Sequence, residues 1–302
     1  MTTSSSLRSR PPEFDRDLTV ISELIAVSSP KTRHRIDYRW RLCNPLVWAG
    51  QNALLWFEGD LCIAFAAWQQ PWATLDFFVR LGPWREDAER AIFAWASTRF
   101  HELDQERGRP LPYWVEARED DEARLALLER HGYVLEDDHD YVMLVRELSD
   151  ELDAPPIPAG YAIRSLAGEA EVEAYAELHR RAFGSQTVTA EWRARSLRMP
   201  GYRADLDLVV VAPDGRLVGF CVGWLDESER VAQIEPIGVD PAFQGRGISR
   251  MLLRESLRRF QSAGATVAQV ETETTRTPAR RAYEASGFRP AQRSVRRGQW
   301  FS

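Results

Sequence analysis

The stretch Ile234-Glu235-Pro236-Ile237-Gly238-Val239 is apolar apart from one carboxylate, and it leads into Gln244-Gly245-Arg246-Gly247-Ile248-Ser249. Two glycines in a short turn let the backbone adopt left-handed conformations and come close to a ligand. A helix starting directly after the turn leaves its first N–H groups without intrahelical partners, at the end where the macrodipole favours anions. A strand, a Gly-rich turn and a helix start in that order form an anion cradle, and pyrophosphate is the group that such a cradle suits. Arg246 and Arg250 are near enough to the turn to meet phosphates, whereas Arg254, Arg258 and Arg259 read as a solvated helix face.

The elements that must hold this turn follow from hydrophobic spacing. A strand over 233–239 and a helix over 248–262 flank it, and a strand over 267–273 and a helix over 278–286, stopped by Gly287, follow. Upstream, a strand over 161–165, helices over 169–183 and 189–199 and a hairpin of 206–212 with 217–224 complete the second half. In the first half a short strand at 7–8 lies within a Ser-, Arg- and Pro-rich arm over 2–12, and a helix covers 17–27. A hairpin of 53–57 with 61–68, a strand over 75–79, a helix over 87–100, a strand over 113–116 and a helix over 121–131 come next. A strand over 141–145 is expected to close this first unit, and a last strand is expected over 295–301. Residues 149–160 carry three prolines among acidic neighbours and make a stiff connector. The division is therefore 1–150, a linker at 151–160, and 161–302.

The two halves repeat. Trp224 stands 156 positions after Trp68, as Gly215 does after Gly59, while Glu271 and Gly287 follow Glu116 and Gly132 at 155. The copies differ at the cradle. Opposite Gln244-Gly245-Arg246-Gly247 stands Ala88-Glu89-Arg90-Ala91, with no glycine and with a carboxylate expected at the helix start. Val79 stands opposite Glu235, and Leu128 opposite Tyr283. The first half is expected to be chemically silent, with a single site in the second.

A chain of 302 residues with 44% hydrophobic and 28% charged residues can build two packed cores. Net charge −6 and pI near 5.6 argue against a general nucleic-acid binder. Cys43, Cys62 and Cys221 are widely spaced and read as buried thiols of a reducing compartment. The histidines, among them His34, His139 and His179, form no ligand cluster, so no metal is expected. No run approaches a membrane span and the start of the chain has no apolar leader region, which points to a cytoplasmic protein without membrane partners.

The second half resembles the GNAT superfamily of N-acetyltransferases over roughly 159–290. Its Gln/Arg-x-x-Gly-x-Gly/Ala signature is met by Gln244-Gly-Arg-Gly247-Ile-Ser249, with Ser in the last small position. The later Ala-x-x-Leu-Tyr-x-x-x-Gly-Phe pattern is met by Ala279, Ala282 in place of Leu, Tyr283, Gly287 and Phe288, and Arg276 stands where an Asn often opens it. The tandem arrangement is similar to that of two-domain members of the superfamily. The resemblance implies an α/β fold of α+β type: two tandem domains, each a mixed, mostly antiparallel twisted sheet flanked by helices.

It further implies acetyl-CoA as co-substrate, lying where the strands 234–239 and 267–273 splay apart. The backbone at Ile237, Gly238 and Val239 would hold the pantetheine arm, and the cradle of Gln244, Gly245, Arg246, Gly247, Ile248 and Ser249, with Arg250, would hold the pyrophosphate. An amine must lose a proton before it attacks the thioester, and Glu235 is the candidate base, acting through a water. The Val239 N–H is the candidate oxyanion donor, and Tyr283 the candidate acid for the leaving thiolate. The expected reaction is acetyl transfer to a primary amine of a small molecule or peptide, by a monomer or homodimer. The alternative is a non-catalytic acyl-CoA-binding sensor or interaction protein. Glu271 and Glu273 either line the acceptor site or face solvent, and Asp226, Glu227 and Glu229 hint at a cationic acceptor.

Overall fold

A computed structural model describes residues 7–28, 31, 36, 38–110, 112–135, 140–150 and 152–300. The beginning of the expected arm, His34, His139 and Phe301 lie outside the described residues. In chain order the first elements are β1 (Arg8–Arg10), α1 (Phe14–Val27), α2 (Tyr38–Arg41), β2 (Ala53–Glu58), β3 (Leu61–Gln69), β4 (Thr74–Val79) and α3 (Arg85–Arg107). Then come β5 (Tyr113–Arg118), α4 (Glu122–Arg130), β6 (Val134–Leu135), β7 (Tyr141–Glu147) and β8 (Ala162–Ser165). They are followed by α5 (Val172–Phe183), α6 (Ala190–Ser196), β9 (Asp207–Val211), β10 (Leu217–Asp226) and β11 (Val231–Val239). The last are α7 (Ile248–Ser262), β12 (Val267–Glu273), α8 (Thr277–Ala285) and β13 (Arg289–Gln299).

One compact unit comprises residues 1–35, 44–140 and 293–302. Its strands run in the order β1-β2-β3-β4-β5-β13, and among the described residues only β4 and β5 pair in parallel, at Thr74↔Trp114. The β2–β3 hairpin closes at Gly59, whose φ of 57° a side chain would resist. Aromatic packing fills the core: the Phe100 ring stacks on Tyr113 at 3.9 Å and Trp68 lies 4.9 Å from the same tyrosine.

The other unit comprises residues 36–43 and 141–292. Its strand order is β8-β9-β10-β11-β12-β7, with β11 and β12 the parallel pair. Helix α7 turns Ile248, Met251, Leu252, Leu257 and Phe260 inward, and each is buried. Gly223 on β10 is required where the Phe260 ring lies against it, because a Cβ there would collide with the ring.

The two units share one strand order, five strands of one chain half followed by one more strand. The repeat read from sequence is thus a repeat of topology. The strand expected over 141–145 does not close the first unit. As β7 it pairs antiparallel with β12, Glu271 facing Met143, because that register brings Val142 and Leu144 into the second unit's core. In the same way β13 pairs with β5 in the first unit, from Ser294↔Arg118 to Gln299↔Tyr113, and buries Val295. Hydrophobic periodicity finds a strand but does not say which sheet receives it.

Candidate functional site

β11 and β12 are paired from Val231↔Val267 to Ile234↔Val270, and among the described residues the pairing stops there. Beyond it β12 continues along β7, while β11 continues along β10. The sheet therefore splays between residues 235–239 and 271–273. The Asp240 N–H donates to the Val218 carbonyl of β10 at 2.9 Å. Antiparallel strands alternate their backbone groups between neighbours, so Gly238 also turns to β10, while Ile237 and Val239 present N–H and C=O to the open splay. Both side chains are half-buried against the core under α7. Gly238 has a different demand on it: a Cβ would come within 2.5 Å of Phe220 and 3.1 Å of Ala182 on α5.

The splay opens at a bulge. Cys221 faces Ile237 and Gly223 faces Ile234, so Glu235 and Pro236 together oppose the single residue Val222. The Trp224 indole Nε1 donates to the Glu235 carbonyl at 2.7 Å. Glu235 is half-buried. By strand alternation it shares a face with Gln233, whose amide accepts from Gln269 at 2.8 Å, and with Glu271 and Glu273 of β12. Both of those glutamates are half-buried on that face.

Past β11, Asp240 caps a short turn, Gly245 and Gly247 take φ of 74° and 79°, and Gly247 is the N-cap of α7. Nothing lies within 4 Å of a Cβ built on either glycine, so the turn is open above its backbone. The first intrahelical bond runs from Met251 N–H to Gly247 O at 3.0 Å, which leaves the N–H groups of Ile248, Ser249 and Arg250 outside the helical ladder. The first turn of α7 carries no acidic residue. Ile248 anchors it in the core, whereas Gln244, Gly245, Arg246 and Arg250 are exposed and Ser249 is half-buried. Arg246 lies 5.1 Å from the Phe243 ring and donates to the Tyr161 hydroxyl at 3.3 Å. The expected solvated face is in part a clamp: Arg258 and Arg259 each hold the buried Glu255 at 2.8 Å.

Tyr283 sits on α8, buried, with Glu235 and Cys221 near enough to bear on its ionisation. Burial first, and then the negative charge of Glu235, push its hydroxyl well above the ordinary tyrosine range, so it carries its proton at neutral pH. Arg276, at the start of α8, lies 5.7 Å from the Phe183 ring of α5.

In the first unit the residues opposite the cradle lie elsewhere than expected. Helix α3 starts at Arg85, so residues 88–91 lie inside it rather than before it. Glu89 is not at the helix start; it is buried and paired with Arg85 at 2.7 Å, and the acids of the first turn are Glu86 and Asp87. Leu128, opposite Tyr283 in the repeat, is fully buried.

Sequence reasoning missed several groups around the site. Residues 36–43 belong to the second unit, where Trp40 lies 5.9 Å from His179 and 5.7 Å from Trp192. His179 is buried on α5 among these rings and Phe220, and burial, with Arg193 and Arg180, lowers it to about 3. The Arg193–Asp207 ion pair is fully buried, with the Tyr202 hydroxyl donating to Asp207 at 2.7 Å. The signal for the α5 cluster was the i, i+4 spacing of Tyr175, His179 and Phe183. Asp226 accepts from the Ser228 N–H at 3.1 Å and the Glu229 N–H at 3.2 Å, which makes it a turn builder. The three cysteines are free and buried. Among the described residues no group of side chains could hold a metal, and no helix is long and apolar enough to cross a membrane.

Comparison with known proteins agrees with this geometry. The acetyltransferase (GNAT) family matches residues 169–288. The mycothiol acetyltransferase of Actinosynnema mirum is 29% identical over 188 residues, 61% of each chain, so this chain matches about three fifths of that relative's length. That of Geodermatophilus obscurus is 30% identical over 229 residues, 72% of this chain and 70% of the relative. A solved tandem GNAT protein from the clavulanic acid biosynthesis pathway shares the fold at a TM-score of 0.62 and 16% identity, covering 98% of this chain and 99% of that one. Sheet, splay, cradle and relatives lead to one conclusion: the chain belongs to the GNAT acetyltransferase family.

Proposed function

We propose that the protein is an acetyl-CoA-dependent N-acetyltransferase with one active site, in the second repeat. The observation that carries this reading is the coincidence of an open splay beside Ile237 and Val239 with a Gly-rich, acid-free helix start at its mouth. Acetyl-CoA would lie in the splay, its pantetheine arm along the free backbone of Ile237 and Val239 and its pyrophosphate over Gly245 to Arg250. The acceptor is the primary amine of a small molecule or peptide. The relatives' name makes mycothiol-type compounds the first acceptors to try.

Glu235 takes the proton of the incoming ammonium, through a water, so that the amine lone pair can attack the thioester carbon. The Val239 N–H donates to the oxygen that gains negative charge. The carbon–sulfur bond then breaks, and Tyr283, held protonated by its surroundings, gives the thiolate a proton. Regarded as a function of sequence, the first repeat (1–150) carries no acetyl-CoA and the second (161–302), after the linker at 151–160, is catalytic. Such an enzyme would be cytoplasmic.

Gly245→Asp together with Gly247→Asp puts two carboxylates and two disfavoured backbone angles into the cradle. Titration calorimetry should show acetyl-CoA binding lost, and free-thiol release with amines should stop. Binding that survives both substitutions would refute the assignment, and thiol release absent from the wild type would favour a sensor over an enzyme.

A further inference from the structure

Asp240 is the last residue before the cradle turn, and the chemistry above does not use it. It is 6% exposed. Its backbone N–H donates to Val218 of β10, one carboxylate oxygen accepts the Ala242 N–H at 3.0 Å, and the other accepts Arg181 Nε at 2.8 Å. Burial disfavours the charged carboxylate, but Arg181, the Ala242 N–H and the more distant Arg216 outweigh it and hold Asp240 below the ordinary aspartate range. One residue is thereby tied through its backbone to the sheet, and through its side chain to the turn that leads into Gly245 and to the last turn of α5.

Its placement gives these bonds their consequence. Directly before Asp240 stands Val239, whose N–H faces the splay, and directly after it begins the turn that sets the first amides of α7. On the other side of the ion pair, Arg181 lines an open cavity of about 370 Å³ with Glu177, Arg180, Gly184 and Gln186. Glu177 lies 4.0 Å from Arg181, a looser contact than the one to Asp240.

We propose that the Arg181–Asp240 pair is a positioning device for acetyl transfer, fixing the Val239 N–H against the cradle and tying both to helix α5. The inference rests on the proposed acetyltransferase reading. Neither residue touches the reacting atoms. Displacing a donor by a fraction of its hydrogen-bond length costs rate without abolishing binding, up to about 100-fold for a full ångström.

The test uses the full chain and the variants Arg181→Gln, Arg181→Lys, Asp240→Asn and the Arg181→Gln/Asp240→Asn double. Each is measured for kcat and KM by thiol release, for acetyl-CoA affinity by calorimetry, and for folding by thermal melt. Arg181→Gln and Asp240→Asn are expected to lower kcat by about ten-fold or more while acetyl-CoA affinity moves less than about three-fold. The double should be no worse than the single variants, because they break one unit, and Arg181→Lys should recover most of the rate. Unchanged kcat in folded variants, or losses that multiply in the double, would overturn the proposal. Should Asp240→Asn not fold, the half-exposed Arg181 decides alone through its Gln and Lys variants. A wild type that neither binds acetyl-CoA nor turns over removes the acetyltransferase reading and this inference with it, whereas an active wild type with indifferent variants removes only the inference.

Discussion

His179 should make the second unit acid-sensitive. The residue is 8% exposed, its ring lies 4.6 Å from Phe183 and 5.3 Å from Phe220, and its buried Nδ1 has no hydrogen-bond partner among the described residues. Desolvation, reinforced by Arg193 and Arg180, lowers it to about 3. An unfolded histidine titrates near about 6.5. With the folded value depressed, the unfolded chain binds a proton that the native state refuses whenever pH lies between the two. Stability is therefore whole above about 6.5 and falls as pH drops towards about 3, at up to roughly 1.4 kcal/mol per unit. From pH 7 to pH 5 the loss assigned to this one ring is about 2 kcal/mol. His179→Phe keeps a ring in the same stack and removes the titration. Hydrogen exchange of the α5 amides, corrected for intrinsic rates, reads the opening free energy locally, which suits a chain of two units better than a global melt. Wild type should lose about 2 kcal/mol more than the variant between pH 7 and pH 5. Equal losses in the two proteins would refute the reasoning.

Three further outcomes follow from the site and its support. Glu235→Gln should lower kcat by roughly 10²- to 10⁴-fold, and the deficit should shrink at high pH as amines deprotonate unaided; a deficit that is constant with pH would remove Glu235 as the base. Tyr283→Phe should lower kcat about 100-fold with acetyl-CoA affinity kept. Since burial and Glu235 raise Tyr283, the wild-type rate should not fall off with a tyrosine-dependent limb at or below the ordinary value of about 10, and such a limb, missing in the Phe variant, would count against its placement. Asp207→Leu should destabilise the second unit by about 3–5 kcal/mol in urea titration, because it leaves the fully buried Arg193 charge unpaired, and adding Arg193→Met should restore much of that loss.

Much of this fold was legible because strands and helices announce themselves by period. The strand over 267–273 and the helix from 248 to 262 stand where spacing put them, and the hairpin turn at Gly59 follows from its residue type. What sequence could not carry was tertiary choice. The pattern of 141–145 is that of any half-buried strand, and only the register with β12 assigns it to the second unit. The short segment around Trp40 has no period at all, and its place beside His179 depends on rings far away in the chain. Helix starts were misjudged for a similar reason. Gly82 at φ 155° and Trp84 let α3 begin at Arg85, so a comparison made by alignment alone placed Glu89 at a helix end that lies elsewhere.

The two repeats differ in a strand as well as in a pair of glycines. Between β3 and β4 the register is unbroken from Ala64↔Val79 to Gln69↔Thr74. Between β10 and β11 it is broken at Glu235 and Pro236. A bulge bends its strand and increases the local twist, and a proline has no N–H to give a ladder, so β11 leaves β12 where Pro236 could not have continued the pairing. The Trp224 indole takes up the Glu235 carbonyl, and the strand end is turned to present Ile237 and Val239 to the opening. A proline inside an otherwise apolar strand was the readable sign of this, two residues before the glycine and eight before the cradle. With Arg80 at the corresponding place, β4 has neither proline nor bulge against β3, yet β4 and β5 pair only at Thr74↔Trp114 before they part, so the first repeat lacks the bulge and the glycines rather than an opening between its parallel strands.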